Sequence, residues 1–163
     1  MIIQEVRTDE RANLLSLAVQ TGLFSPEEAE GLLGGVLDSL SEGQLPAEHA
    51  ALACRPSEDC PAVGWSYCAP DQYAEGVMNI WWIGVAPSAY GTGAGKALLS
   101  HVERAAAASG YRIIVIETSD QPLLARARSF YLRAGYAECG RVPDFYGPGD
   151  SKVIFSRSVA SAT

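Results

Sequence analysis

The stretch Trp81-Trp82-Ile83-Gly84-Val85-Ala86-Pro87-Ser88-Ala89-Tyr90-Gly91-Thr92-Gly93-Ala94-Gly95-Lys96-Ala97-Leu98-Leu99 decides how the chain is read. Its first part is apolar and suited to a strand, its middle places glycine at alternate positions, and its end opens an amphipathic helix. A strand that turns through glycines straight into a helix aims several backbone N–H groups, and the positive end of the helix dipole, at one point. An anion belongs there. Two phosphate-binding patterns fail on residue identity. The P-loop pattern G-x-x-x-x-G-K-[ST] needs glycine where Tyr90 stands and a hydroxyl where Ala97 stands, which leaves no Mg²⁺ ligand. The dinucleotide fingerprint G-x-G-x-x-G needs its third glycine at Lys96 and an acidic residue about 20 positions further on, where Tyr111 stands. What remains is a pyrophosphate held by backbone amides without a metal.

Upstream of this turn, Met1 to Val6 reads as a strand, and Asp9 is placed to cap a helix carrying Leu14, Leu15, Ala18 and Val19 that stops at Gly22. Ser25-Pro26-Glu27-Glu28 is a capping box with proline at the first helical position, and it opens a second helix with Leu32, Leu33, Val36, Leu37 and Leu40. Gly31, Gly34 and Gly35 weaken that helix, which suits either a mobile flap or close packing of helix on sheet. Three strands follow, His49 to Arg55, Ala62 to Ala69 and Val77 to Val85, as an antiparallel meander. Beyond the turn, Thr92 to Ser109 is helical with Ala94, Ala97, Leu98, Val102 and Ala105 on one face, and Ile113-Ile114-Val115-Ile116 suits a strand buried on both faces. Pro122 opens a helix with Leu123, Ala127, Phe130, Tyr131 and Ala134, closed by Gly135, and two strands, Tyr136 to Val142 and Lys152 to Ser158, complete the chain. The order β-α-α-β-β-β-α-β-α-β-β is that of an α/β domain with a mixed sheet.

Composition narrows the function. At 163 residues the chain has room for one core, so a single domain over residues 1–159 with a loose tail at 160–163 is expected. Apolar residues make up 48%, which supports a packed interior and excludes a disordered or collagen-like chain. Twelve Lys and Arg against nineteen Asp and Glu give a net charge of −7, which disfavours nucleic acid and suits a cationic acceptor, although solubility alone accounts for the same sign. No apolar run approaches the ~20 residues that cross a bilayer, and Met1 to Val6 has none of the flanks of a signal peptide, so a cytoplasmic protein without membrane contact is expected. Cys54, Cys60, Cys68 and Cys139 form no C-x-x-C pair, and His49 and His101 add no ligand spacing. Buried free thiols and no metal are the expectation.

The segment Val85-Ala86-Pro87 followed by Gly91-Thr92-Gly93-Ala94-Gly95-Lys96-Ala97-Leu98-Leu99 resembles the [Q/R]-x-x-G-x-[G/A] signature of the GNAT superfamily of acyl-CoA-dependent N-acyltransferases. Ser129-Phe130-Tyr131-Leu132-Arg133-Ala134-Gly135-Tyr136 is similar to the F-Y-x-x-x-G-[F/Y] stretch that follows the family's fifth strand. Together the two cover about residues 77 to 158, and the first 76 agree in element order only. Tyr90 departs from the usual Gln or Arg, so one contact to the CoA pyrophosphate is missing or replaced. The resemblance implies a mostly antiparallel twisted sheet of six or seven strands, split in a V between strands 4 and 5 and flanked by about four helices. It implies acetyl-CoA as cofactor, with the pantetheine arm along Ile83, Gly84 and Val85 and the phosphates at Tyr90, Gly91, Thr92, Gly93, Ala94, Gly95, Lys96 and Ala97. Lys96 is equally an ordinary surface lysine.

Acyl transfer to an amine needs a neutral nitrogen, a place for the developing oxyanion and a proton for the departing thiolate. The resemblance assigns the oxyanion to backbone N–H near Val85 and the proton to Tyr131, next to the cofactor; packing is the alternative role for that ring. Family members often carry Glu six residues before the V-x-P valine, where this chain has Asn79, which takes up no proton. Glu75, Glu117 and Asp144 remain as carboxylates acting through water, each equally readable as a solvated or paired surface charge. The run Asp144 to Ile154 looks like the turn and strand that form part of the acceptor wall in protein N-terminal acetyltransferases, which puts Tyr146 and Asp144 against the acceptor. Phe24 and Trp81 or Trp82 line the same cavity or fill the core. The implied reaction is transfer of an acetyl or short acyl group to a primary amine of a small molecule or a peptide N-terminus. A catalytically silent acyl-CoA-binding module is the alternative, and a homodimer is left open.

Overall fold

Strands and helices follow the apolar periodicities of the sequence in a computed structural model that describes residues 1–159. The expected tail, Ala160 to Thr163, lies outside the described residues. In chain order the elements are β1 (Ile2–Glu5), α1 (Arg11–Gln20), α2 (Pro26–Ala29), a π-helical segment (Glu30–Gly34), α3 (Gly35–Ser41), β2 (Ala50–Arg55), β3 (Gly64–Pro70), β4 (Val77–Val85), α4 (Ala94–Ala108), β5 (Ile113–Ser119), α5 (Ala125–Arg133), β6 (Ala137–Gly147) and β7 (Asp150–Ser158). The strands make a seven-stranded, mostly antiparallel sheet in the order β1-β2-β3-β4-β5-β7-β6, with β4 and β5 as the parallel pair. Their shared register covers Val77 to Ile80 against Ile113 to Ile116 and ends there, while β4 runs on to Val85 and β5 to Ser119. None of the described helices is long and apolar enough to cross a membrane.

Two compact units divide the chain, one made of Met1–Ala69 and Trp82–Val102, the other of Pro70–Trp81 and the residues from Glu103 onward. In the first, α1 to α3 lay Leu14, Leu17, Ala18, Ala29, Leu33 and Leu37 on Ala51, Ala53, Trp65 and Trp82. Fully burying one such leucine contributes about 1.5–3 kcal/mol, so this face holds the helices down. The buried Trp65 also donates its indole N–H to the Leu14 carbonyl at 3.1 Å, which pins α1 to β3. The Ser25/Glu28 capping box forms as expected, with Pro26 at the first turn. Gly34 is buried, and a Cβ there would sit 2.5 Å from the Glu30 carboxylate, itself paired with Arg11. The atoms a Cβ would meet are the ends of the flexible Glu30 and Arg11 side chains, and Gly31 and Gly35 face open space.

Several expectations need correction. Asp9 does not cap α1: the N-cap is Glu10, whose carboxylate instead accepts from the Arg7 amide at 2.9 Å and pairs with the fully buried Arg55. A buried guanidinium without a counter-ion is costly, and that need takes Glu10 away from capping. On α4 the buried face is Ala94, Leu98, Leu99, Val102 and Ala106, and Ala105 is exposed, because 3.6-residue periodicity favours position 106 after 98, 99 and 102. In β5 only Ile114 and Ile116 are fully inside, and Ile113 and Val115 are half-buried. The strand alternates, with one face covered more completely than the other. Cys54 and Cys68 are buried, but Cys60 is half-buried and Cys139 exposed; all four are free thiols. The last two strands are longer than expected and meet in a tight turn between Gly147 and Asp150.

In the second unit, β7 lies between β5 and β6, with Ile116 opposite Phe155 and Glu117 opposite Ile154. α5 packs Tyr131 against Phe155 and Tyr136, with ring centroids 5.6 and 6.3 Å apart. β6 is an edge strand exposed along nearly its whole length, protected from pairing by Pro143 and by the Glu138–Arg141 ion pair.

Candidate active site

The glycine turn lies wholly in the first unit. β4 ends at Val85, the Ala86 amide donates to the Val63 carbonyl at 2.8 Å, and Pro87–Ala89 adds one 3-10 turn. Tyr90 continues in extended backbone, 40% exposed. Gly91 and Gly93 then take φ of +78° and +89°, which L side chains adopt at a cost, and a Cβ at either would meet nothing within 4 Å. The space in front of both is open. The Thr92 hydroxyl donates to the Ala89 carbonyl at 2.7 Å and its amide reaches the same oxygen at 3.4 Å, so this residue closes the turn. The first amide of α4 to find a main-chain acceptor is that of Ala97, to the Gly93 carbonyl at 2.9 Å. The amides of Ala94, Gly95 and Lys96 precede it with no main-chain partner among the described residues. Ala94 is buried, Gly95 half-buried and Lys96 exposed with its ammonium on the first helical turn. An open, solvent-accessible glycine turn backed by orphan amides and a helix dipole is what a diphosphate needs, so these residues fit the CoA group that the motif implies.

Gly84, one of the residues expected along the pantetheine arm, also has a packing reason. A Cβ there would lie 2.3 Å from the Trp82 ring, so the missing side chain makes room for the indole. Trp82 is buried and touches Phe24 and Trp65 with ring centroids 5.6 and 5.9 Å away. Phe24 thus sits at the edge of the core, with Trp82 inside it.

The remaining candidates lie in the second unit. Tyr131 is buried, and burial raises its phenol well above the ordinary tyrosine range, so the hydroxyl keeps its proton at neutral pH. Trp81 is 57% exposed on β4. Glu75 is exposed in the β3–β4 turn, where its carbonyl accepts from Arg112 at 2.8 Å. Glu117 is ion-paired with Lys152, whose ammonium lies 3.7 Å above the Phe145 ring. Asp144 has φ of +54° and uses its carboxylate to accept from the Gly149 amide at 2.7 Å, which holds the hairpin turn. Tyr146 is half exposed, edge-on to Phe145, its phenol pushed up first by partial burial and then by the charges of Glu117 and Asp150.

Asn79 is buried on β4 and donates from Nδ2 to Asp71 at 3.0 Å. The other Asp71 oxygen accepts from the Tyr73 and Ala74 amides, each at 2.9 Å. These donors, the Tyr73 amide first, hold the Asp71 carboxyl below the usual carboxylate range. Sequence reasoning passed over Asp71; the signal available was an aspartate two residues before Tyr73 in a turn, a pattern in which the side chain caps local amides.

A profile of the GNAT acetyltransferase family matches residues 27–136. Among solved structures, one from Desulfovibrio desulfuricans assigned to the GNAT family is 29% identical, covers 98% of both chains and has a TM-score of 0.86. An aminoglycoside 6'-N-acetyltransferase complexed with coenzyme A matches at 19% identity over 100% of this chain and 99% of its own, with a TM-score of 0.77. The ribosomal-protein-S18-alanine N-acetyltransferase from Escherichia coli matches at 14% identity over 99% and 96%, with a TM-score of 0.73. No functionally curated protein matches in the sequence search.

Proposed function

The chain belongs to the GNAT family of acetyltransferases, and from that premise we propose that it transfers an acetyl group from acetyl-CoA to a primary amine of a small molecule or peptide by direct attack. The observation that carries this reading is the open space at Gly91 and Gly93 in front of the orphan amides of Ala94, Gly95 and Lys96. When bound, acetyl-CoA supplies an activated thioester carbonyl. The amides from Gly93 to Lys96 take the diphosphate, and the exposed Lys96 ammonium adds positive charge, which compensates for a Tyr90 that offers neither guanidinium nor amide. Main-chain groups at Ile83 and Val85 would hold the pantetheine arm as an added strand would, and the Val85 amide would be the donor available to negative charge on the thioester oxygen. Tyr131, whose place in the F-Y-x-x-x-G-[F/Y] stretch carries the assignment, would supply the proton that the departing thiolate requires.

Of the carboxylates considered as bases, Glu117 is neutralised by Lys152 and Asp144 is committed to the hairpin. An exposed acceptor amine that reaches the site neutral, having lost its proton to water, needs no protein base of high proton affinity. The exposed free thiol of Cys139 suits a reducing compartment, which supports a cytoplasmic location. The test is incubation with acetyl-CoA and a panel of polyamines, aminoglycosides, amino acids and peptides while free thiol is followed. Acceptor-dependent thiol release is the expected result. Cofactor binding without release across the panel would transfer the reading to a silent acyl-CoA-binding module.

A further inference from the structure

We propose that Glu117 and the Phe145 ring form an ammonium-binding site whose resident occupant is the chain's own Lys152, an autoinhibitory contact that a free primary alkylammonium displaces. The Lys152 side chain is withdrawn from water, 14% exposed, and its ammonium lies 2.5 Å from a Glu117 carboxylate oxygen and 3.7 Å from the centroid of the Phe145 ring. A carboxylate together with an aromatic face is the set of partners that an alkylammonium takes. The bound lysine therefore shows which chemical group these side chains accept.

The hairpin is built more firmly at this corner than a surface ion pair requires. Asp144, the residue before Phe145, holds φ of +54°, the single non-glycine in the left-handed region among the described residues, and its carboxylate accepts from the Gly149 amide at 2.7 Å. Backbone strain of this kind gathers where a binding surface has to be held in place. Here it sets the strand that presents Phe145 and, edge-on at 5.0 Å, Tyr146, both about half exposed instead of packed in the core. The charge is also unbalanced. Partial burial first, and then the charges of Glu117 and Asp150, push the Tyr146 phenol up, so both carboxylates bear on that side chain. Lys152 pairs with Glu117, whereas Asp150 has no ion pair among the described residues and accepts from the Ser119 hydroxyl. One bound ammonium against two carboxylates leaves the corner attractive to a cation.

Lys152 can leave without disturbing the sheet. It stands on β7 opposite Ser119 of β5, so its main chain is fixed and only its side-chain torsions change. A partly exposed ion pair gains little over water and restrains a long, flexible side chain. While Lys152 is in place, an outside ammonium meets a site open for part of the time, and its apparent affinity is reduced by that fraction. Glu117, Phe145, Tyr146 and Lys152 all belong to the second unit, and the site stands whether or not the chain transfers acetyl groups.

The experiment titrates the full-length protein with n-butylammonium chloride at constant ionic strength and follows its NMR signals. The proteins compared are wild type, Lys152→Met, Lys152→Arg, and Lys152→Met combined with Glu117→Gln. Methionine keeps an unbranched stem and removes the charge. Lys152→Met is expected to bind at least about tenfold more tightly than wild type, with the signals of Glu117, Phe145 and Tyr146 moving together. Lys152→Arg, which keeps a cation in place, is expected to bind as weakly as wild type, and Glu117→Gln to abolish binding in the methionine background. Equal affinity in wild type and Lys152→Met, or binding that survives Glu117→Gln, overturns the proposal. So does equally tight binding of tetramethylammonium to Lys152→Met, because that ion has no N–H for Glu117 and would mark a general cation patch. Wild type decides the matter if Lys152→Met does not fold. Its Lys152 side-chain protons start in the ring current of Phe145 and are expected to move downfield as butylammonium is added; protons that stay in place to saturating amine overturn the proposal. No arm reads acetyl transfer, so failure of the acetyltransferase reading and failure of this site are separate outcomes.

Discussion

Gly93→Glu isolates the cradle from the rest of the protein, because the structure supplies its own control. Gly93 precedes α4 and Gly110 follows it, with φ of +89° and +84°, and a Cβ at either meets nothing within 4 Å. Replacing either glycine forces an L side chain into the left-handed region at a cost of about 1–2 kcal/mol. For a chain of this size that lowers the melting temperature by roughly 2–4 °C per kcal/mol. The two variants should therefore melt alike. Their effects on CoA should not match. A carboxylate about 4 Å from a phosphate charge repels it by about 4 kcal/mol at an effective dielectric constant near 20, and partial escape of the side chain into solvent leaves a loss of roughly 10²-fold in affinity. Isothermal titration calorimetry with CoA reads this directly: Gly110→Glu should bind as the wild type does, and Gly93→Glu should show little or no heat. Affinity in Gly93→Glu within threefold of wild type, or the same loss in both variants, would refute the assignment of the diphosphate to this turn.

Tyr131→Phe should lower turnover while CoA affinity stays unchanged by calorimetry; an unchanged rate removes the hydroxyl from the mechanism. The same substitution carries a stability test. Because burial raises the Tyr131 phenol above its unfolded value near 10, the folded state holds that proton after the unfolded chain has lost it, so stability is full below pH ~10 and falls as pH rises beyond it. Urea unfolding above pH 10 should show a shallower fall for Tyr131→Phe than for wild type. Glu10→Ala leaves the fully buried Arg55 without its counter-charge and should cost about 3–5 kcal/mol by denaturant unfolding, with Glu10→Gln intermediate. Gly84→Ala drives a methyl into the Trp82 ring and should cost about 1–3 kcal/mol, seen as a lower denaturation midpoint with altered tryptophan emission; wild-type stability would mean that the indole does not lie over this glycine.

The sequence was most legible where local chemistry and tertiary structure agree. Ser25, Pro26 and Glu28 specify a helix start that needs nothing from elsewhere, and Gly91 and Gly93 specify a turn by the φ values that only glycine adopts easily. The boundaries of β4 and the position of Gly22 behind α1 follow from similar local rules. What remained hidden depends on partners remote in the chain. Glu10 is read as an ordinary surface acid until Arg55, 45 residues away, is found buried beside it. Gly84 lies inside the cofactor motif, yet its reason is the indole two residues earlier, whose direction no periodicity reveals. Glu117 is equally readable as a base or a surface charge until the β5–β7 register brings Lys152 to it. Asp71 and Asn79 meet only because β3 and β4 form a hairpin, with the Asp71 amide on the Val77 carbonyl at 2.9 Å. The functional motif was thus visible as a string of residues, whereas the pairing of charges between remote residues belongs to the folded sheet.

Amide NMR with ¹⁵N-labelled protein tests the central claim most directly, by titration with CoA and, separately, with pantetheine, which has no diphosphate. The N–H signals of Gly93, Ala94, Gly95 and Lys96 are expected to move downfield with CoA and to stay in place with pantetheine. Binding of CoA that leaves these four signals unmoved, or that shifts an amide cluster elsewhere in the chain, would contradict the account.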